Sequence, residues 1–179
     1  MMTRRPFGGS VSIALLWLSL ASPRFAAAQT APQPPAPTPT TLKVGGDVRT
    51  PLSLAPEELK SMPRTRVQVK SEDGQPVTYE GVLVGELLKR AGAPLGGEMR
   101  GNAMATYVLA TAADGYQVLF SLAELDPAFT GSEVIVADTI DGKPLFGYQG
   151  PWRIVAPKDT RPARAIRMLE RIEVVRLKK

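Results

Sequence analysis

The sequence predicts an α+β fold in which mixed and antiparallel sheets are joined by short helices. Apolar residues alternate with polar residues in many short runs, which is the period of a half-buried strand. The helical segments between these runs are too short to serve as the regular crossovers of a parallel doubly wound sheet. Asp-Gly pairs follow several of the runs and favour tight hairpin turns.

Three regions are predicted along the chain: a signal peptide over residues 1–28, a proline-rich disordered linker over 29–41 and a single folded domain over 42–179. Arg4 and Arg5 precede a short apolar run, and Ala26-Ala27-Ala28 supplies a small-residue cleavage site. The run is shorter than the ~20 apolar residues that cross a bilayer, so no membrane span is expected. These features predict a periplasmic or secreted protein.

The export route is open between two interpretations. The segment Thr3-Arg4-Arg5-Pro6-Phe7 resembles a twin-arginine signal, which addresses proteins that cross the membrane already folded. Gly8 and Gly9 depart from that pattern. An ordinary secretory peptide with two arginines explains the same residues.

Composition excludes several classes of function. The sequence contains neither cysteine nor histidine, which rules out a disulfide framework, a Cys/His zinc site, c-type haem attachment and a Ser-His-Asp triad. Removing Arg4, Arg5 and Arg24 with the signal peptide leaves 19 basic and 17 acidic residues, a net charge of +2. So small an excess gives no argument for nucleic-acid binding, which needs a concentrated basic face.

The first half of the domain is expected to form a strand, a short helix, a hairpin and a second helix. Leu42 opens the first strand. Residues 53–59 have the pattern of a helix start, with Pro56 suited to the first turn, and this helix is expected to stop before Pro63. Alternating valines predict the hairpin, with its turn at Glu72-Asp73-Gly74. The second helix spans residues 84–91 and is capped by Gly92 in the left-handed conformation.

The second half is expected to contain more strands and two short helices. Residues 106–111 and 116–120 predict a hairpin around Asp114-Gly115, and Ser121-Leu122-Ala123-Glu124 has the spacing of a capping box that starts a helix. The remaining predicted elements are a strand at 134–137, a strand at 152–156, a short basic helix near 163–169 and a closing strand around Ile172 and Val174.

Several short motifs follow one another along the domain: VGELLKRAG, ADGYQVLFSLAEL, DGKPL, GPWRIVAPKD and the closing IEVV. In this order and spacing they resemble the oxidoreductase molybdopterin-binding domain, the catalytic fold of sulfite-oxidase-type enzymes. The resemblance covers nearly all of residues 42–177. It implies molybdopterin as the cofactor to test, and the residues themselves establish no cofactor.

The metal ligand is the main departure from the family. There, a cysteine thiolate binds molybdenum after the strand that corresponds to residues 67–70, where this sequence has Ser71. Without the thiolate the usual metal centre cannot form, so we assign no catalytic residue. A serine alkoxide ligand at Ser71 and a plain serine in a surface turn are the two interpretations of this position.

The resemblance implies that Tyr116 of the DGY motif faces an oxyanion. A phenol can donate a hydrogen bond to an anion without a shifted pKa. Asp114 of the same motif is a further ligand-binding candidate. The alternative is a tyrosine that opens a strand after a tight turn, half packed and half solvated.

The resemblance also implies three basic candidates. Arg153 matches the arginine of the family's G-x-P-x-R stretch near the pterin phosphate, where a guanidinium fork suits phosphate geometry. Lys158 adds a point charge. Arg167 and Met168 occupy the family's basic-aromatic pair, and Ala165 stands where the family has a histidine. The alternative for Arg153 is the exposed side of a strand.

Three hypotheses on function follow. The first is a non-catalytic module that binds a small anionic ligand, a residual pterin or another exported protein. The second is an active molybdopterin-dependent oxidoreductase with a non-cysteine metal ligand. The third is a scaffold whose Trp152 and Tyr148 surface contacts another exported protein. Convergence of Tyr116, Arg153 and Arg167 on one concave site would favour ligand binding.

Overall fold

The structure is a computed structural model that describes residues 41–71 and 73–177. The predicted signal peptide and all of the predicted linker except Thr41 lie outside these residues. Within them, ten strands alternate with short helical segments. The strands are β1 Leu42–Gly46, β2 Leu52–Leu54, β3 Thr65–Lys70, β4 Pro76–Leu83, β5 Thr106–Ala112, β6 Gln117–Ser121, β7 Ile135–Ile140, β8 Lys143–Pro144, β9 Arg153–Val155 and β10 Leu169–Arg176.

The first sheet has the strand order β2-β1-β10-β5-β6. Strands β1 and β10, from opposite ends of the domain, pair in parallel, and every other pair in this sheet is antiparallel. The alternation of the sequence is visible in β5, whose residues are by turns buried and half-buried. One face of this sheet therefore lies on the core and the other meets solvent.

The second sheet has the order β3-β4-β7-β8, and β9 also pairs with β7. All of its pairs are antiparallel. The β3–β4 hairpin confirms the hairpin predicted from the alternating valines. Asp141 and Gly142 form the turn between β7 and β8, and both have positive φ, which is the geometry that a tight Asp-Gly hairpin turn needs.

Two α-helices, α1 Pro56–Lys60 and α2 Val84–Ala91, accompany the sheets. Gly92 ends α2 with φ 73°, so the predicted left-handed cap is confirmed. Five 3-10 helices complete the helical content of the described residues: Gly96–Glu98, Gly101–Ala105, Ala123–Leu125, Gly147–Gln149 and Pro162–Arg164. The α+β fold class is confirmed. No helix among the described residues has the length and apolarity needed to cross a membrane.

The main hydrophobic core lies between the first sheet, α2 and the inner side of the second sheet. Its largest fully buried side chain is Trp152, which is 1% exposed. The prediction that Trp152 forms part of a contact surface is therefore wrong, because the alternation of the strand directs this side chain into the core. Tyr148 does lie on the surface, with 65% of its area exposed.

The predicted basic helix near residues 163–169 is also wrong. A 3-10 turn ends at Arg164, and the chain then extends into β10 from Leu169. The Ile154 amide donates to the Ile166 carbonyl and the Leu169 amide donates to the Trp152 carbonyl. These bonds to β9 and to the residue before it replace the bonds of a helix, and Met168, with φ 48°, forms the bend between them.

Two further helix predictions need correction at their boundaries. Residues 53 and 54 belong to β2, so α1 begins only at Pro56. The predicted capping box at Ser121 works in part, because the Glu124 amide donates to the Ser121 hydroxyl at 3.1 Å. The helix that follows is a single 3-10 turn, since it reaches Asp126 and then Pro127, and a proline disfavours helical backbone at the residue before it.

Candidate functional site

Arg153 and Arg167 lie on two stretches of chain that are hydrogen-bonded to each other. Strand β9 bonds to the 166–169 segment, and four apolar residues of these two stretches are buried in the core: Trp152, Ile154, Ile166 and Leu169. Arg153 lies between the buried Trp152 and Ile154 in an extended stretch, so its side chain projects to the opposite side, away from the main core. Arg167 lies in the bend between Ile166 and Leu169, and its side chain is exposed.

Arg153 is half-buried, and Gln149 and Tyr79 both contact it. Its Nη1 donates to Gln149 Oε1 at 2.7 Å. Its guanidinium carbon lies 5.2 Å from the centroid of the Tyr79 ring, within the range of a cation–π contact. Tyr79 is buried in a second, smaller cluster on the outer face of the second sheet. The alternative interpretation, an arginine on the exposed side of a strand, does not include these contacts with Gln149 and Tyr79.

Arg167 is exposed and rests on an aromatic ring. Its guanidinium carbon lies 5.2 Å from the centroid of Tyr148. Tyr148 and Gln149 are consecutive, so the two arginines contact adjoining residues of one segment. Over residues 41–71 and 73–177, no carboxylate lies within ion-pair distance of Arg167. We call Tyr79, Tyr148, Gln149, Arg153 and Arg167 the arginine–tyrosine face.

Tyr116 and Asp114 lie in the turn between β5 and β6. The Tyr116 hydroxyl donates to the Ala163 carbonyl at 2.8 Å, and its amide donates to Asp114 Oδ1 at 3.0 Å. The amide of Ala113 in the same turn donates to the Met168 carbonyl. The turn therefore adjoins the 163–168 segment that carries Arg167, although the Tyr116 hydroxyl itself is bonded to the main chain.

Lys158 lies apart from the other candidates. Its Nζ donates to the Gly131 carbonyl at 2.7 Å, which holds it to the loop between β6 and β7. The structure thus has Arg153 and Arg167 contact the consecutive residues Gln149 and Tyr148, and the turn of Tyr116 and Asp114 adjoins the stretch that carries Arg167. Lys158 lies in another part of the domain.

Ser71 lies at the end of β3, in the turn of the β3–β4 hairpin. Its hydroxyl contacts an Asp73 carboxylate oxygen and lies 2.7 Å from the Gln75 carbonyl. The hydrogen bond from Ser71 holds the pKa of Asp73 below its ordinary value. The hydroxyl is therefore part of the turn. Within the described part of the chain, no group of three or more acidic, cysteine or histidine side chains is placed to hold a metal ion.

Sequence reasoning missed Arg164, which fastens the segment that carries Arg167. Its guanidinium donates to Asp159 at 2.6 and 2.8 Å and to Glu124 at 2.9 and 3.3 Å. It also lies 4.5 Å from the centroid of Phe120. The hydrogen bonds with Asp159, and then those with Glu124, raise the pKa of Arg164 above its ordinary value. Glu124 is 40 residues away in sequence, so no local pattern indicates the pair.

A cleft of about 690 Å³ lies between α2 and the 125–134 loop. Gly85 and Lys89 of the helix line one wall, and Asp126 and Gly131 belong to the other. Asp126 is buried, and its carboxylate accepts the amide of Gly96 at 2.5 Å. None of the predicted candidates lines this cleft. Sequence reasoning missed the cleft because loop backbone and glycines form much of it.

The fold and the motifs match a known domain. The family model described as "Oxidoreductase molybdopterin binding domain" matches residues 30–179. The chain belongs to the oxidoreductase molybdopterin-binding domain family. This membership confirms the family resemblance drawn from the ordered motifs.

A solved structure supports the same fold for this family member. The sulfane dehydrogenase SoxCD from Paracoccus pantotrophus is similar to it with a TM-score of 0.58 and 19% sequence identity. The similarity covers 75% of this chain and 37% of that one, so the chain spans well under half the length of this relative. At this identity the likeness concerns the fold alone. No curated protein matches the sequence.

Proposed function

We propose that this molybdopterin-binding-domain protein is a non-catalytic binding module that takes a small anionic ligand at its arginine–tyrosine face. One observation carries the proposal: Arg153 and Arg167 each lie over a tyrosine ring, and they contact the consecutive residues Gln149 and Tyr148. A guanidinium presents a planar fork of donors that matches phosphate and carboxylate oxygens.

The charge of Arg167 supports an anionic ligand. This side chain is exposed, and among the described residues it makes no ion pair that would have to be broken. Stacking on Tyr148 restricts its orientation, which lowers the conformational entropy lost on binding. Arg153 is already held by Gln149 and Tyr79. The two cations therefore offer a partly preorganised site.

The residues at the family's metal position do not fit molybdenum. The family ligand is a thiolate, and this sequence has no cysteine. Ser71 takes that position, and its hydroxyl is bonded within the hairpin turn to Asp73 and Gln75. An alkoxide there would have to give up both contacts and form beside a carboxylate, whose negative charge disfavours it. This disagreement supports a role without redox turnover.

The proposal is tested by calorimetric titration of the purified protein with pyrophosphate. Arg167→Ala should weaken binding by about tenfold, the loss of one charge-assisted contact of ~1.4 kcal/mol. Arg161→Ala is the matched control, because it removes the same charge from an exposed position just before the same segment. Equal affinities for the wild-type protein and Arg167→Ala, or equal losses in the two variants, would contradict a site at this face.

In the alternative function, an active oxidoreductase, Ser71 would be the metal ligand. If an alkoxide held the metal, Ser71→Ala would abolish molybdenum binding. Under our proposal the same change leaves pyrophosphate binding unaltered and only loosens the hairpin turn. Parallel measurement of molybdenum content and pyrophosphate affinity in Ser71→Ala therefore separates the two functions.

We also propose that the protein acts after export, with residues 1–28 removed as a signal peptide. The support is the order of basic, apolar and small residues in the sequence. N-terminal sequencing of protein recovered from outside the cytoplasm should begin near Gln29. Recovery of the intact N-terminus in the cytoplasm would contradict export.

A further inference from the structure

Strand β6 forms one end of the first sheet, and within the described residues no strand pairs with its outer edge. The hydrogen bonds that flank it join Tyr116 to Ala112 and Leu122 to Thr106. Because backbone bonding alternates along an antiparallel strand, the even-numbered residues bond to β5. The amides and carbonyls of Gln117, Leu119 and Ser121 therefore point outward.

The sequence of β6 lacks the features that usually keep such an edge from pairing. Charged side chains, prolines and very short length protect most edge strands in natural sheets. Strand β3 carries Arg66 and Lys70, β8 consists of Lys143 and Pro144, and β2 has three residues. Strand β6 reads Gln-Val-Leu-Phe-Ser, without charge or proline.

The solvent face beside this edge is apolar at its centre. Leu119 is 52% exposed. It lies opposite Leu109 on β5, which is half-buried, and Tyr107 on the same face pairs with Val175 of β10. A free backbone edge and an adjoining apolar strip thus occur together, which is the combination used in binding by strand addition.

We propose that β6 pairs antiparallel with β6 of a second copy of this chain, around a twofold axis at Leu119. The strand is self-complementary in this register: Leu119 faces Leu119 of the second copy, and Gln117 faces Ser121. Each facing pair uses outward-pointing amides and carbonyls, so each exchanges both hydrogen bonds. The facing side chains are neutral, so no like charges meet, and the contact closes on itself as an isologous dimer.

This inference is independent of the proposed anion site. It rests on the edge of the first sheet, whereas the arginine–tyrosine face lies on β4, β9 and the segments around them. Loss of pyrophosphate binding would leave the dimer untouched, and loss of the dimer would leave pyrophosphate binding untouched.

Sedimentation equilibrium across a concentration series tests the pairing. The wild-type protein should dimerise, and Leu119→Lys and Leu119→Glu should each weaken self-association by at least about tenfold, because like charges would face each other across the axis. An equimolar mixture of the two variants should restore the dimer, since lysine then faces glutamate. A monomeric wild-type protein, variants that dimerise like the wild type, or a mixture that stays monomeric would overturn the proposal.

Two controls separate pairing from a general effect on the fold or surface. Met104→Lys places the same charge on an exposed apolar residue of the 3-10 helix Gly101–Ala105, and it should dimerise as the wild type does. Thermal unfolding of Leu119→Lys at low concentration should match that of Met104→Lys, because both side chains are exposed. If Met104→Lys also becomes monomeric, pairing through β6 is contradicted.

Discussion

Arg164 and Arg167 are three residues apart on one segment, and their surroundings assign them different roles. Arg164 bonds to Asp159 and Glu124, so its charge is balanced within the fold. Arg167 lies over the Tyr148 ring and, within residues 41–71 and 73–177, has no carboxylate partner. The difference teaches that the placement of acidic side chains decides which arginine fastens the structure and which one is available to a ligand.

The largest expected effect comes from removing the fastening arginine. Arg164→Leu should lower the free energy of unfolding by about 2 kcal/mol, because two partly buried carboxylates lose their partner. This loss is smaller than that expected for a fully buried ion pair, because Arg164 is about one third exposed. Urea denaturation measures the change. The free energy of unfolding of Arg167→Ala should stay within about 0.5 kcal/mol of that of the wild type. Equal losses in both variants would contradict the different roles assigned to Arg164 and Arg167.

The second prediction concerns a substitution that introduces a carboxylate into the arginine–tyrosine face. Gln149→Glu keeps the side-chain length and places a negative charge beside Arg153 Nη1, which now bonds Gln149 at 2.7 Å. Pyrophosphate affinity should fall about tenfold, because the new carboxylate competes for the guanidinium and repels the anion. Calorimetric titration measures the affinity, and Gln68→Glu at an exposed position of β3 is the matched control. Undiminished affinity in Gln149→Glu would place the anion elsewhere.

A smaller effect is expected from the ring beneath Arg167. Tyr148→Ala removes the stacking partner, and an exposed cation–π contact is worth roughly 0.5–1 kcal/mol, so pyrophosphate affinity should fall only a few-fold. Tyr148→Phe keeps the ring and should bind as the wild type does. A large loss in Tyr148→Phe would assign the tyrosine hydroxyl a direct contact with the anion.

The smallest effect concerns acid stability. Hydrogen bonds from Arg66, and then from Arg64, hold the pKa of Glu80 below its ordinary value of 4.5. A carboxyl with a lowered folded-state pKa contributes stability above its ordinary pKa, and this contribution is lost as the pH falls through the folded-state value. Arg66→Ala should therefore flatten the loss of stability below about pH 4.5. Arg167→Ala should leave that part of the pH profile unchanged, since no described carboxylate pairs with it.

Much of the fold could be predicted because its causes are local. Alternating valines in β3 and β4 predict the hairpin, and Gly92 predicts the end of α2. The 163–169 segment could not be predicted in the same way. Its bonds run to β9, and its bend depends on Met168 in a conformation that non-glycine residues rarely adopt.

The site was predictable only in part for the same reason. The family motifs indicate Arg153 and Arg167 as candidates. The sequence predicts a basic helix around Arg167, whereas the structure has a 3-10 turn followed by a bend. The partners that decide the two arginine roles lie far along the chain: Glu124 is 40 residues from Arg164, and Tyr79 is distant from Arg153. Such contacts depend on the tertiary structure, so they cannot be predicted from the spacing of residues along the sequence.

The central claim is that this family member binds its ligand without a molybdenum centre. Elemental analysis of the protein purified from its own organism, with pterin quantified in the same sample, tests it most directly. We predict molybdenum far below one atom per chain and no oxo-transfer turnover. One tightly bound molybdenum per chain, together with turnover of an oxo-transfer substrate, would contradict the account.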